Sequence, residues 1–404
     1  MNVRHTLART AMVTCALAAF PLSAMSADFR AVDHPVQGSY IVVLKSEAAS
    51  LAGEKSSAAR VADVGRQMTT QYRVTLTHSY DHVLRGFAVR ADDAALARLL
   101  ADPRVDYVQE DGRVSAVGGS GQVSIKANQS PVTWPLDRID QTLLPLNNNY
   151  IYNKAGAGVH AYIVDSGILA THNEFATRIS NGYTAIAAGG TNDCYGHGTH
   201  AAGSIGGATY GVAKSVALHP VRVLDCTGAG TIANVLSGMN WVTANRLAPA
   251  VAYLGFSSPA NTTVDTAVAQ MTNAGIVVVA SAGSNNADAC NYSPGRAPSA
   301  ITVSASTSAD AAAAFANYGS CVDLYAPGQS ITSSWIGSNV AISTISGVAK
   351  AAAFVVGAAA LYQQGNPTAS PATVTSAILT TTTAGVLTGV PPLTPNRLLY
   401  TLSL

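Results

Sequence analysis

The sequence predicts an α/β protein: a three-layer domain on a central parallel sheet, preceded by a smaller α+β domain. Three observations carry this. From about residue 127 onward, short apolar strands alternate with helical stretches, and they lack the in–out alternation of a one-sided sheet. Before residue 116 the strand-like and helix-like segments follow a different order, and a glycine-rich run separates the two parts. The chain has 404 residues, enough for two or three domains. Its 48% hydrophobic and 11% charged content suits a close-packed globule. A net charge of +1 gives no bulk attraction for nucleic acid or an anionic membrane, so neither is expected as a partner.

The elements are justified in chain order. Arg4, His5 and Arg9 precede an apolar stretch from Ala11 to Leu22. Small residues follow at Ser23, Ala24, Ser26 and Ala27. This is the pattern of an export signal, too short to span a bilayer, with cleavage expected between Ala24 and Ala27. Residues 1–27 are therefore read as a signal peptide, and the mature protein as soluble and exported, to the periplasm or the extracellular space. Tyr40 to Leu44 is a β-rich run, and residues 54–71 are polar and helix-compatible. Val74 to Ser79 and Gly86 to Ala91 alternate like strands. Ala91 to Leu100 reads as a helix stopping before Pro103, and Val105 to Val108 as a strand. The order β-α-β-β-α-β is that of a ferredoxin-like α+β domain. With the linker Val117-Gly-Gly-Ser-Gly-Gln122 it fills residues 28–126. The second domain, 127–404, carries strands at Ala161 to Val164, Val221 to Leu224, Val251 to Leu254, Ile276 to Ala280 and Ile301 to Val303.

In such sheets sites gather at the C-terminal ends of strands. Asp165 stands there, in Val-Asp-Ser-Gly-Ile, although a carboxylate in this setting also suits a turn or a helix cap. His197 lies in Gly-His-Gly-Thr-His-Ala-Ala-Gly, where flanking glycines allow close backbone approach and a small-residue helix follows. A carboxylate-oriented histidine is a general base, and the pair is more telling than either residue alone. Beyond Cys15 in the signal, four cysteines remain: Cys194, Cys226, Cys290 and Cys321. An even number in an exported protein argues for two disulfides, with three pairings open.

Around Asp165 and His197 the chain resembles the subtilase family of serine proteases (peptidase S8), within its proteinase K and aqualysin-like branch. Further matching stretches are Tyr210 to Lys214, Val221 to Cys226, Asn291 to Pro294, Tyr318 to Asp323 and Pro395 to Leu399. The resemblance implies a subtilisin-like fold for the second domain. It implies an inhibitory, chaperone-like propeptide of the I9 type for the first, with a mature start at Ala127 to Pro131. It makes Asp165 and His197 the triad aspartate and histidine. It pairs Cys194 with Cys226 and Cys290 with Cys321, each closing a loop worth about 3 kcal/mol in the chain-entropy account. It places Gly228, Ala229, Gly230, Leu254, Gly255 and Phe256 along the substrate strands. It also implies structural calcium. One site would use Asp323 with the carbonyls of Pro298 and Ala300, and a second Asp137, Asp140, Gln141, Asn147 and Asn149. These oxygen ligands suit a hard cation, although turns and caps use the same residues.

The departures are as telling. The family's nucleophile motif is Gly-Thr-Ser-Met-Ala-x-Pro-His-Val-Ala-Gly. This chain has Gly347-Val-Ala-Lys-Ala-Ala-Ala-Phe-Val-Val-Gly357, aligned without a gap between Trp335 and the alanine-rich continuation. The nucleophile position is therefore Ala349, whose methyl group cannot attack a carbonyl. The oxyanion-hole asparagine position is Ser284, whose side chain is shorter, and a one-residue shift points Asn285 elsewhere. The glycine-rich substrate strand reads Tyr253-Leu-Gly-Phe-Ser257, with the bulk of Phe256 expected where a peptide would lie. In subtilisin itself, loss of the serine costs about a millionfold in kcat. Loss of one oxyanion donor costs about a hundred- to a thousandfold. Ser346 sits three residues early. Lys350, a loose analogue of the base in serine–lysine enzymes, is expected to turn toward solvent.

The expectation is a secreted subtilisin-like endopeptidase homologue without normal activity, a monomer holding its own propeptide or other peptides and proteins in a narrowed cleft. The alternatives are an active endopeptidase with a rearranged site, which predicts turnover abolished by His197→Ala, and a structural protein without peptide affinity. Without the serine, the chain should stay joined through residues 117–128.

Overall fold

The computed structural model describes residues 27–46, 57–118, 123–125 and 132–404. The expected export signal, apart from Ala27, and the expected mature start at Ala127 to Pro131 lie outside the described residues. The first unit runs β1 (Asp28–Arg30), β2 (Pro35–Leu44), α1 (Ser57–Tyr72), β3 (Thr75–Tyr80), β4 (Gly86–Arg90), α2 (Asp93–Leu100) and β5 (Val105–Ala116). Its strand order β5-β2-β4-β3, with antiparallel pairing, completes the split β-α-β-β-α-β arrangement. Asp92 caps α2 by accepting from Ala95 N at 2.7 Å.

The run Tyr40 to Leu44 is apolar throughout because both faces of its sheet are covered. Val42 and Leu44 pack with Val61, Met68, Phe87 and Leu99 beneath α1 and α2. Ile41 and Val43 join Tyr80, Tyr107 and Val114 in a core shared with the second unit. Period-two side-chain geometry divides one apolar run between two cores.

The second unit contains β6 (Val123–Ile125), α3 (Trp134–Ile139), β7 (His160–Asp165), β8 (Tyr183–Thr184), α4 (His197–Gly206), β9 (Ala217–Arg222), β10 (Ala229–Thr231) and α5 (Ile232–Asn245). It continues with β11 (Ala250–Leu254), β12 (Phe256–Pro259), α6 (Thr262–Asn273), β13 (Ile276–Ser281), β14 (Tyr292–Ser293), β15 (Ile301–Ser306), β16 (Leu324–Pro327), β17 (Ile331–Ser334) and β18 (Ala341–Ile345). It ends with α7 (Val348–Gly365), α8 (Pro371–Thr381), β19 (Thr383–Ala384) and β20 (Arg397–Leu398). The main sheet has the order β19-β20-β16-β15-β13-β11-β7-β9-β8, and its neighbours from β20 to β8 are parallel. One face packs on α4 and the alanine-rich α7, the other on α5 and α6, giving three layers. Among the described residues no helix is long and apolar enough to cross a membrane.

Two strands differ from expectation. The strand read at Val221 to Leu224 spans Ala217–Arg222, because His219 and Pro220 interrupt its apolar pattern. β5, read only to Val108, runs on to Ala116 through the polar Glu110 to Arg113. Its second half is held by the other unit. It pairs antiparallel with β10 (Ser115 opposite Ala229, Val114 opposite Gly230) and with β12 (Ala116 opposite Phe256).

Candidate active site

Asp165 ends β7 and His197 opens α4, and tertiary packing brings both to one buried point. Gly196, just before the helix, has φ of +104°, and an added Cβ there would strike the Trp335 ring at 2.5 Å, so glycine is required. His197 Nδ1 lies 2.8 Å from Asp165 Oδ2 and 2.9 Å from Oδ1. Its other nitrogen, Nε2, lies 3.0 Å from the carbonyl oxygen of Val117. The first unit thus ends in the site. Ala116 N donates to Gly228 O (2.9 Å), and Val117 N donates to Gly255 O (3.1 Å). Val117 and Gly118, expected to open a free linker, are instead docked. The physical reason is that the flanking strand edges offer hydrogen bonds along both sides of the segment.

The substrate-strand residues divide accordingly. Gly228, Ala229, Gly230, Gly255 and Phe256 flank the β5 segment, whereas Leu254 is buried at the end of β11. Gly255 admits no side chain, since a Cβ there would sit 2.2 Å from Asp165 Oδ2. Phe256 corrects the expectation of a narrowed cleft. Its ring is buried in the shared core while its backbone pairs with Ala116. Side chains stand perpendicular to a sheet, so bulk on a strand leaves its hydrogen-bonding edge open.

Ala349 lies in the first turn of α7, fully buried, and its carbonyl accepts from Tyr253 Oη at 3.2 Å. Ser284 Oγ accepts from Val348 N at 3.0 Å, satisfying one of the orphan amides at the start of that helix. Asn285 donates its backbone N–H to Asn317 Oδ1 at 2.9 Å.

Lys350 also corrects the reading. It does not reach solvent but is fully buried, its Nζ 3.5 Å from the His197 carbonyl oxygen. The helix carrying it is packed on all sides, so its third residue faces α4. Burial lowers its ammonium to about 7, against the opposing pull of Asp165 and Asp193. Burial also holds His200 well below the ordinary histidine range, reinforced by the Lys350 charge.

Sequence reasoning missed Asp193. Its carboxylate accepts from Ser166 Oγ, Tyr195 N, Gly196 N, Thr199 N and Thr199 Oγ1, fixing the turn that delivers His197. The available signal was its place four residues before the histidine, ahead of a glycine and a helix start, where aspartate turns and caps occur. Next to it, the Cys194–Cys226 disulfide ties this turn to the β9–β10 connection, and Cys290–Cys321 forms the second bridge.

The two calcium sets differ. Asp137 accepts from Asn147 N and Asn148 N, and Asp140 Oδ2 from Ile151 N. Asn147 Oδ1 accepts from Asn149 N. Asp140 Oδ1 and Gln141 Oε1 are buried without a hydrogen-bond partner. Burial and the nearby Asp137 raise the Asp140 carboxyl. Two orphaned oxygens beside paired carboxylates fit a hard cation. In the other set, Asp323 Oδ2 accepts from Thr302 N at 2.8 Å, and burial raises its carboxyl. Pro298 and Ala300 lie just ahead of β15. Among the described residues no group of three or more His, Cys, Asp and Glu side chains gathers as a metal cluster.

Comparison with known proteins agrees with this architecture. Residues 156–397 match the subtilase family, and residues 39–116 match peptidase inhibitor I9. The extracellular serine proteinase of Thermus sp. (strain Rt41A) is 54% identical over 323 residues, covering 80% of this chain and 77% of that protein. The alkaline serine exoprotease A of Vibrio alginolyticus is 42% identical over 338 residues, 83% of this chain. The chain spans only 62% of that protein's length. A solved structure, that of a cold adapted subtilisin-like serine proteinase, is 44% identical with a TM-score of 0.66, and the match covers 68% of this chain and 99% of that one. With its parallel sheet, its Asp165–His197 pair and its I9 unit docked along β10 and β12, the chain belongs to the subtilase family.

Proposed function

We propose that this chain is an exported subtilase homologue that does not hydrolyse peptides by the family's route and instead holds a peptide segment, in the first place its own residues 113–118, in the former substrate cleft. The observation that carries this reading is what His197 meets. Its Nε2 faces the Val117 carbonyl oxygen at 3.0 Å, and residue 349, the position that the resemblance makes the nucleophile, is an alanine whose methyl group cannot attack a carbonyl. The fallback is weakened as well, because the Ser284 hydroxyl is shorter than the family's asparagine amide and its oxygen is held against the first amide of α7. The extracellular naming of the Thermus relative supports export. The Asp137–Asp140–Gln141 loop, with its two orphaned oxygens, supports a structural calcium ion there, with Asp323 as a second position.

The full chain, produced in a host lacking other proteases, is exposed to a serine-directed fluorophosphonate and assayed on casein. The expected result is no covalent adduct, no turnover, and an intact mass showing residues 113–118 still joined to the second unit. An adduct on any serine, or turnover lost in His197→Ala, overturns the reading.

A further inference from the structure

The retained Asp165–His197 pair needs a role once its hydroxyl partner is gone, and the ring geometry supplies one. An imidazole has two nitrogens, and a neutral ring donates from only one. In His197 both face acceptors. Nδ1 lies 2.8 and 2.9 Å from the Asp165 carboxylate oxygens, and Nε2 lies 3.0 Å from Val117 O. Neither a carboxylate nor a peptide carbonyl can donate back. A neutral ring would set a bare lone pair against an oxygen at one end, a buried repulsion costing a full unsatisfied contact.

Resting on the reading above, we propose that the Asp165–His197 pair is a peptide clamp: His197 is held as an imidazolium that donates to the Val117 carbonyl, with Asp165 as its counter-ion. A serine protease base must give up one ring proton to work. The clamp keeps both, and its bond to the peptide is charge-assisted and therefore stronger than a neutral one. The pair then contributes binding where it formerly contributed catalysis.

The surroundings permit this. Asp165 on β7 is fully buried, and its Oδ1 also accepts from Ser166 N at 2.7 Å, so the compensating charge is fixed. From α7, Lys350 approaches the backbone side of His197, and burial lowers its ammonium to about 7, which limits a second positive charge nearby. His200, on the same helix, is held neutral by burial and donates to Ile331 O from Nε2. The Tyr195 ring lies at a centroid distance of 6.4 Å from His197. The peptide is anchored just ahead of the clamped carbonyl, Ala116 N donating to Gly228 O and Val117 N to Gly255 O. Gly118 presses so close to Gly347 that a Cβ on Gly347 would lie 2.7 Å from its Cα.

The test uses the uncut chain. Nitrogen NMR of ¹⁵N-histidine-labelled protein at neutral pH reads the protonation of each ring nitrogen directly. Two protonated nitrogens on His197 are expected, and one bare nitrogen with the segment docked overturns the proposal. Amide exchange at Ala116 and Val117 gives the second readout. His197→Ala should accelerate it about ten- to a hundredfold, while His197→Gln, which keeps a neutral donor, should fall between. Amides of the distant half of β5, such as Val108, should not change. Equal exchange in wild type and both variants overturns the clamp. Should His197→Ala fail to fold, the wild-type nitrogen spectrum still decides. Fluorophosphonate labelling together with a doubly protonated ring would sink the inactive reading and leave the clamp. A bare nitrogen without labelling would do the reverse.

Discussion

Lys350 carries an ammonium group into the interior and meets the His197 carbonyl oxygen at 3.5 Å. Its folded value is about 7 against an ordinary 10.5, so between these pH values the unfolded chain binds more protons than the folded one. Stability therefore rises with pH across that window, and falls as pH drops from 10.5 toward 7. We expect urea midpoints to increase from pH 7 to pH 9.5. Lys350→Met should be more stable at pH 7 by a few kcal/mol, on the order of 2–5, and should show no such rise. A wild-type midpoint flat over this range would contradict the burial of the charge. The neighbouring residues set a second expectation. Ala349→Ser alone should give only trace casein turnover, because Ser284, its oxygen held against Val348 N, stands where the resemblance puts a longer amide donor. Adding Ser284→Asn should raise kcat by about a hundred- to a thousandfold over the single variant. Equal rates would show that residue 284 is not the missing oxyanion donor.

Helix α5 is the element that receives the first unit. Asp111 accepts from Ala233 N at 2.9 Å at its start, and Tyr80 Oη donates to Ala233 O at 3.2 Å. Further along, Asn240 Oδ1 accepts from the N–H groups of Asp81, His82 and Val83 at 3.1, 2.8 and 3.2 Å. Its Nδ2 donates to Asp81 Oδ1 at 3.0 Å. One side chain thus satisfies a whole turn of the other unit. Asn240→Ala should strand these three donors and cost about 1–3 kcal/mol of docking. Amide exchange at residues 81–83 should rise about tenfold or more while the α2 amides keep their protection. Unchanged exchange at 81–83 would mean that water replaces Asn240 without loss. Nothing in the local sequence of α5 marks Asn240, since an asparagine on a helix has no distinguishing pattern until its partner turn is in place.

At the scale of the whole molecule, two units share one core and one extended sheet, and the loop with the orphaned oxygens of Asp140 and Gln141 lies at 137–151. Calcium should raise the melting temperature of the full chain. A ligand at a hundred times its dissociation constant adds about 2.7 kcal/mol. Asp140→Asn should remove most of that gain, as followed by calorimetry with and without chelator. A wild-type melting temperature indifferent to calcium would leave the orphaned oxygens of Asp140 and Gln141 to water.

Much of this was legible in the chain alone. Period, order and turn residues foretell the split β-α-β-β-α-β unit and the parallel sheet, because burial on both faces writes unbroken apolar runs such as Ile276 to Ala280. The resemblance to subtilase motifs singles out Asp165 and His197 and implies the departures at Ala349 and Ser284. The rest depends on groups far apart in sequence. The polar stretch Glu110 to Arg113 becomes strand only because β10 and β12 supply partners. The Phe256 ring leaves the cleft open because a core lies behind it. Lys350 is buried because α4 and the sheet close over α7. Local pattern records which side of an element is apolar. Which distant hydrogen-bonding edge or charge meets the other side is decided only when the chain is folded, and here that meeting places the Val117 carbonyl against the His197 ring.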